Sequence, residues 1–160
     1  MPEEDGSGVR GGPGSQQRSR PDCEPEPVTG PASAGAGDPR RRLGARAEVY
    51  CARKLERLGW QILDRNWRIR LGEIDIVAID GRTLVVVEVK AQRSGNLAGP
   101  VLPALAVGPQ KQRRLRRLAL AWLQACPHQP DFDDLRFDVV GITVGNDDLP
   151  VGYSHLENAF

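Results

Sequence analysis

Two runs rich in β-branched residues, 73–79 and 83–91, flank Asp80-Gly81, and no other feature of the sequence restricts the fold as tightly. Asp-Gly between such runs is a strong hairpin signal, because both turn positions tolerate positive φ. With Asp80 and Gly81 as a two-residue turn, Ile79 stands opposite Arg82, Asp75 opposite Val86 and Glu73 opposite Glu88. Side chains alternate with period two along a strand. Glu73, Asp75, Glu88 and Lys90 therefore share one face, while Ile74, Ile76, Val85, Val87 and Val89 fill the other.

This face has a charge problem with a chemical solution. Asp75 and Glu88 are diagonal neighbours, roughly 5–8 Å apart at the backbone, a span two carboxylates can close around one hard cation. Like charges this close are destabilising unless neutralised, and Lys90 offers one positive charge against three acids. Mg2+ typically takes one or two carboxylates and keeps water or phosphate oxygens as its other ligands, so Asp75 and Glu88 suffice as protein anchors. Mg2+ or Mn2+ held there could polarise a phosphodiester and acidify a water, with the Lys90 ammonium orienting that water or stabilising developing charge.

The competing account is an ordinary wet hairpin face whose exposed ion pairs are worth ~0–1 kcal/mol. Two details count against it. Val77, Ile79, Leu84 and Val86 lie on the charged face, which argues for its partial coverage, and the acids cluster at the end away from the turn.

Around the hairpin, Leu43, Ala47, Tyr50, Cys51, Leu55 and Leu58 follow helical spacing and Gly59 supplies a stop, predicting an amphipathic helix over 41–58. Ile62, Trp67 and Ile69 among polar neighbours predict a strand over 60–70, with a bulge or bend at 64–66. Residues 93–109 read as a polar loop rich in Gly and Pro, with a short helical turn at 101–107. Pro109 suits the first turn of a helix whose stripe is Leu115, Leu118, Ala119, Trp122 and Cys126, closed by Pro127. Strands follow at 136–144 and 152–158. Helix, three strands, helix and two strands predict an α/β sandwich, a mixed sheet flanked by helices.

Residues 1–40 contain 8 Gly and 7 Pro but no Ile, Leu, Phe, Tyr or Trp, so they bury too little apolar surface to offset their ordering entropy. The expectation is a disordered tail over 1–41 and one domain over 42–160. The first 40 residues carry 4 Arg against 7 acids, so the overall +1 divides into an acidic tail and a basic remainder, which permits an anionic partner. The three cysteines form no CxxC pair or His cluster, arguing against a disulfide framework or zinc site. No apolar run approaches the roughly 20 residues of a membrane span. A soluble cytoplasmic protein without a membrane partner is the expectation.

Lys111, Arg113, Arg114, Arg116 and Arg117 place five cations within seven residues at the start of the second helix. Such a run is usually a solvated face. Cations at a helix N-terminus oppose the macrodipole, however, whereas a bound phosphate is favoured by dipole and charges together. Lys111 lies four residues before Leu115 and can point toward the sheet. Lys111, Arg113, Arg114 and Arg117 are the candidate DNA contacts. Asp138 shares strand parity with Val140, Ile142 and Val144, which favours a structural role over a catalytic one. His155 reads as structural or interfacial. Trp60, Trp67 and Trp122 read as packing residues, with base stacking by one of them the alternative.

Gly72-Glu73-Ile74-Asp75, the hairpin, and Glu88-Val89-Lys90 resemble the D…ExK signature of the PD-(D/E)xK nucleases. A bare ExK is weak, but the surrounding text is more specific. It includes Ala47-Glu48, Asn66-Trp67-Arg68, Lys111 followed by Arg114-Leu115, Arg136-Phe137-Asp138-Val139-Val140 and the ending His155-Leu156-Glu157-Asn158-Ala159-Phe160. Over about 43–160 the chain resembles the bacterial YraN family, of UPF0102 type, which is similar to archaeal Holliday-junction resolvases. The resemblance implies a restriction-endonuclease-like fold, Asp75 and Glu88 as metal ligands and Lys90 as catalytic lysine. It also implies Glu48 as an auxiliary acid from the first helix. The helical wheel puts Glu48 at the rim of the apolar stripe, equally compatible with solvent. Ala91-Gln92 stands where that family often carries Thr-Arg.

The expected function is a metal-dependent nuclease acting on DNA, including branched or structured forms. The alternatives are a non-catalytic nucleic-acid-binding module and an interaction subunit of DNA-processing enzymes. Junction resolution needs two sites acting together, so a homodimer is expected under that option.

Overall fold

The computed structural model describes residues 38–95 and 107–160. Residues 1–37 of the expected tail, and the helical turn expected at 101–107 apart from Val107, lie outside them. The elements are α1 (Pro39–Arg57), β1 (Gln61–Ile69), β2 (Gly72–Asp80), β3 (Thr83–Arg93), α2 (Pro109–Ala125), β4 (Asp134–Val144) and β5 (Pro150–Leu156). The strands form one mixed sheet in the order β1-β2-β3-β4-β5. Only β3 and β4 run parallel, and α2 makes the crossover between them. This arrangement is consistent with a restriction-endonuclease-like fold.

Each helix starts where local chemistry allows. Asp38 caps α1 by accepting from the Arg40 N–H at 3.0 Å, with Pro39 in the first turn; Pro109 opens α2 in the same manner. The two apolar stripes then cover opposite faces of the sheet. Ala47, Cys51, Ala52 and Leu55 of α1 pack against Ile76, Ala78, Val85, Val87, Val140 and Ile142. Leu115, Leu118, Ala119 and Trp122 of α2 pack against Val77, Ile79, Leu84, Val86 and Val139. The side of the hairpin that carries acids is thus roofed by α2, as the shared apolar residues require.

Two details of the hairpin depart from expectation. Asp80 pairs with Thr83 and Ile79 with Leu84, so the turn residues are Gly81 and Arg82 rather than Asp80 and Gly81. Gly81 adopts φ 60 as the first central residue, the position a type II′ turn reserves for glycine. The partner moves by two residues, which preserves every face assignment in the paired region but sets Asp75 directly across from Glu88 instead of diagonally. The second departure is Ile74, which joins the cluster under α2 while Ile76 joins the one under α1. Alternation breaks at Asp75 because regular β2–β3 pairing ends at Ile76–Val87, and Asn66, opposite Asp75 on β1, takes a left-handed φ of 56.

The end of the chain is tied down by Asp138, which is fully buried. Its carboxylate accepts hydrogen bonds from Arg136 Nε at 3.0 Å and the Asn158 N–H at 2.9 Å, and lies 2.8 Å from His155 Nε2. Burial alone would raise its pKa, but these three partners outweigh that effect and hold it below the ordinary carboxylate range. Ala159 N–H donates to the Phe137 carbonyl at 2.7 Å, and Phe160 stacks on Phe137. Asp138→Ala would remove the buried acceptor that Arg136, His155 and the Asn158 N–H share. We expect a loss of about 1–3 kcal/mol, read as a lower urea midpoint, whereas Leu120→Ala on the exposed side of α2 should stay within about 0.5 kcal/mol. Equal midpoints for the two variants would contradict this role for Asp138.

Candidate functional site

The unpaired end of the hairpin carries the acids. Asp75 is 8% exposed and Glu88 only 3%. Where the β2–β3 ladder stops, the Asp75 carboxylate replaces a backbone acceptor and takes the Val89 N–H at 2.8 Å. Lys90, two residues along β3, reaches Glu88 Oε1 at 2.7 Å. Lys111 descends from the first turn of α2 and brings its Nζ within 3.0 Å of Glu88 Oε2. That second contact has ion-pair distance without hydrogen-bond alignment, so the buried Oε2 receives no hydrogen bond.

Electrostatics distinguish the two acids' neighbours. Burial pushes the Asp75 carboxyl up to about 7, the adjacent Glu88 carboxylate pushes the same way, the Val89 N–H pulls it down, Glu48 adds to the rise and Lys111 opposes it. Asp75 therefore feels α1 through Glu48 and α2 through Lys111, at the rim between the two layers. Glu48 is half-buried. Burial raises its pKa, opposed by a hydrogen bond with Asn66, and Glu73 contributes a further rise.

The structure brings Asp75, Glu88, Lys90 and Lys111 together, with Glu48 alongside. Glu73 departs from the expected convergence: it pairs with Arg68, its cross-strand neighbour on β1, at 2.8 Å and is about half exposed. The broken alternation at Asp75 explains the divergence. The charge count changes accordingly, since one acid leaves and a second lysine arrives. Asn66 was not singled out as a site residue, although its type tolerates the left-handed backbone that places it beside Glu48.

A cavity of about 490 Å³ opens next to this cluster, lined by Leu71, Gln110, Lys111, Arg113, Arg114 and Arg117. None of the three arginines pairs with an acid among the described residues, so their charges face the opening uncompensated. Gly72, at φ 144, lets Arg114 lie close over the strand; a Cβ there would meet Arg114 Nε at 3.4 Å and Leu118 Cδ1 at 3.5 Å. Arg116 turns the other way, its guanidinium 5.3 Å from the Phe160 ring centroid. All three tryptophans are buried, and Trp122 Nε1 donates to Asp64 at 3.1 Å, so they pack rather than present faces to bases.

Two hard carboxylates suit a divalent cation that keeps some non-protein ligands. Among the described residues no three His, Cys, Asp or Glu side chains form a closed protein cage. The donor set is of the kind that Mg2+ or Mn2+ takes. Among the described residues no helix is long and apolar enough to cross a membrane.

Comparison with known proteins supplies the lineage. Residues 47–142 match the model of the uncharacterised protein family UPF0102. A UPF0102 protein of Geobacter sulfurreducens is 50% identical over 119 residues, covering 74% of this chain and 88% of its own. One from Rhodococcus opacus is 44% identical over 118 residues, covering 74% and 95%. Another, from Acidothermus cellulolyticus, is 42% identical over 135 residues, covering 79% and 99%. The family model's match runs from within α1 into β4 and includes Asp75, Glu88, Lys90 and Lys111, and the chain belongs to the UPF0102 family.

Proposed function

We propose that this protein is a metal-dependent nuclease that hydrolyses phosphodiester bonds in DNA, with Asp75 and Glu88 as metal ligands and Lys90 as catalytic lysine. The observation that carries this reading is the buried Asp75–Glu88 pair, with Glu88 Oε2 held only by an unaligned ion pair to Lys111, set beside a cavity walled by cations. A Mg2+ or Mn2+ ion there would neutralise charge on a phosphodiester and acidify a water. The chain's own residues do the rest. Glu88 Oε1 fixes the Lys90 ammonium, so that a donor with one-third of its side chain exposed is aimed where a nucleophilic water or a developing oxyanion would sit. The Val89 N–H holds Asp75 in one orientation. Arg113, Arg114 and Arg117 would grip the DNA backbone, a contact independent of sequence and weakened by salt. Glu48, held by Asn66 at the α1 side, stands ready as an auxiliary acid or base.

A second reading is favoured by one observation. Lys90 and Lys111 already neutralise Glu88 within the chain, which a binding module without catalysis would need as well. Branched DNA as preferred substrate and a homodimer as working form are finer proposals within the first reading.

A panel of linear, flapped and four-way DNA, with Mg2+, Mn2+ or EDTA, separates the two. Asp75→Ala and Lys90→Ala should each lower metal-dependent cleavage by about 10²–10⁴-fold while DNA retention by gel shift in EDTA stays near that of the parent. Cleavage unchanged in both variants would move the chemistry elsewhere. Absence of cleavage on any substrate, with DNA still bound, would favour the binding module.

The raised Asp75 pKa has two measurable consequences. The carboxylate must lose its proton to ligate, so Mn2+ affinity should climb about tenfold per pH unit below pH 7 and level off above it. In metal-free protein the sign reverses. Between about pH 4 and 7 the native chain holds more protons than the unfolded one, so stability should fall as pH rises through that window. Asp75→Asn should flatten this dependence in urea unfolding. A parent protein whose stability rises across the same window, with the same slope in the variant, would contradict the assignment.

A further inference from the structure

Lys111 belongs to two places at once. Its ammonium pairs with Glu88 Oε2 at 3.0 Å, so it occupies an oxygen that a divalent ion held by the acid pair would need. The same side chain forms part of the wall of the α2 cavity, whose charged residues are all cationic. The two lysines around Glu88 are not equivalent. Lys90 donates a well-formed hydrogen bond and lies on the same strand, whereas Lys111 comes from another element, makes an unaligned contact and leaves Oε2 without a hydrogen bond.

We infer that Lys111 is the built-in counter-ion of the acid pair: a divalent cation binding Asp75 and Glu88 displaces its ammonium into the α2 cavity, where it takes a backbone phosphate of DNA. The inference rests on the metal-centre reading above and adds to it that metal and DNA bind with positive coupling through one side chain. An ammonium on Glu88 Oε2 and a divalent ion ligated by Glu88 cannot sit there together without strong repulsion. Lysine has the reach to move, since its charge sits on a flexible four-carbon stem. The cavity repels a further cation while it is empty, with Arg113, Arg114 and Arg117 already facing it. A phosphate reverses that sign. Metal without DNA must therefore expel Lys111 into an unfavourable place, and DNA without metal lacks one of its cations; together each removes the other's penalty. Linkage requires the two enhancements to be equal.

Ca2+ is the probe, as a hard oxygen-seeking cation, together with a short labelled duplex. Calorimetry measures Ca2+ affinity with and without duplex, and anisotropy measures duplex affinity in Ca2+ or EDTA. For the parent each ligand should tighten the other by about tenfold. In Lys111→Gln, Ca2+ should bind the DNA-free protein more tightly than in the parent, because its competitor is gone, and the coupling should fall toward onefold. Full coupling retained in Lys111→Gln, or weaker Ca2+ binding without DNA, overturns the inference while leaving the metal centre intact. Absence of Ca2+ uptake by the parent even with duplex overturns the metal centre itself, and the inference with it. A metal-free arm is independent of that outcome. Glu88→Gln should tighten duplex binding in EDTA by releasing Lys111, and the gain should disappear in Glu88→Gln/Lys111→Gln. An equal gain with and without Lys111 would mean general electrostatics only, and would count against the displacement. Thermal melting of each variant confirms that it is folded.

Discussion

Two carboxylates buried side by side on neighbouring strands must be held by something, and the arrangement of this molecule follows from that need. Asp75 and Glu88 face each other where the β2–β3 ladder ends, so one backbone donor, Val89 N–H, is released to hold Asp75. Glu88 takes its two ammonium partners from different directions, Lys90 along β3 and Lys111 from α2. The parallel β3–β4 pairing dictates the second of these. A crossover element is obligatory between parallel strands, and here α2 crosses over the acidic face, bringing its first turn above Glu88.

The chain also contains a buried aspartate of the opposite kind. Asp138 is saturated by Arg136, His155 and the Asn158 N–H, and its pKa lies below the ordinary range in spite of burial. Asp75 has one backbone donor and a carboxylate neighbour, and its pKa is driven up. Both residues sit on the same sheet and burial pushes both carboxyls upward, so the opposite outcomes come from their partners. A saturated acid has no capacity left for a ligand and serves the fold. An undersatisfied one costs stability and retains the capacity to bind.

Strand periodicity made the hairpin and its faces legible in the sequence, and it tolerated a mistake. Taking Asp80-Gly81 rather than Gly81-Arg82 as the turn moves each partner by two residues, and a shift of two leaves each side chain on its own face. The helices were legible for a similar reason, their stripes being marked by Leu43 to Leu55 and Leu115 to Trp122 and the second start by Pro109, while α1 begins at Pro39, two residues before the expected start and inside the expected tail. What could not be read was where periodicity fails. The reset at Asp75 depends on Asn66 in a different strand, and it alone turns Glu73 toward Arg68 and leaves the acid cluster one charge smaller. The Lys111–Glu88 pair spans a connection and a layer, beyond the reach of any local rule. Glu48 was ambiguous on the helical wheel because its inward position is fixed by Asn66, which no helix period encodes.

The charges of α2 carry the remaining step. Its first turn has no acidic residue and its cap, Gly108, has no side chain to accept a backbone N–H, while Lys111, Arg113 and Arg114 oppose the dipole. A helix with these terminal electrostatics is held by its buried stripe rather than by its ends. Arg116 escapes the mismatch by covering Phe137 and Phe160, and Lys111 escapes it through Glu88. Arg113, Arg114 and Arg117 have no such outlet among the described residues. Their unfavourable field is concentrated on one cavity, beside a buried oxygen of the acid pair that lacks a hydrogen bond. Neither defect is relieved by a rearrangement of the other, because an arginine moved onto Glu88 would still leave Asp75 unpaired. Under the proposed function, a phosphate in the cavity and a divalent cation at the acids would relieve both, with Lys111 in contact with each place.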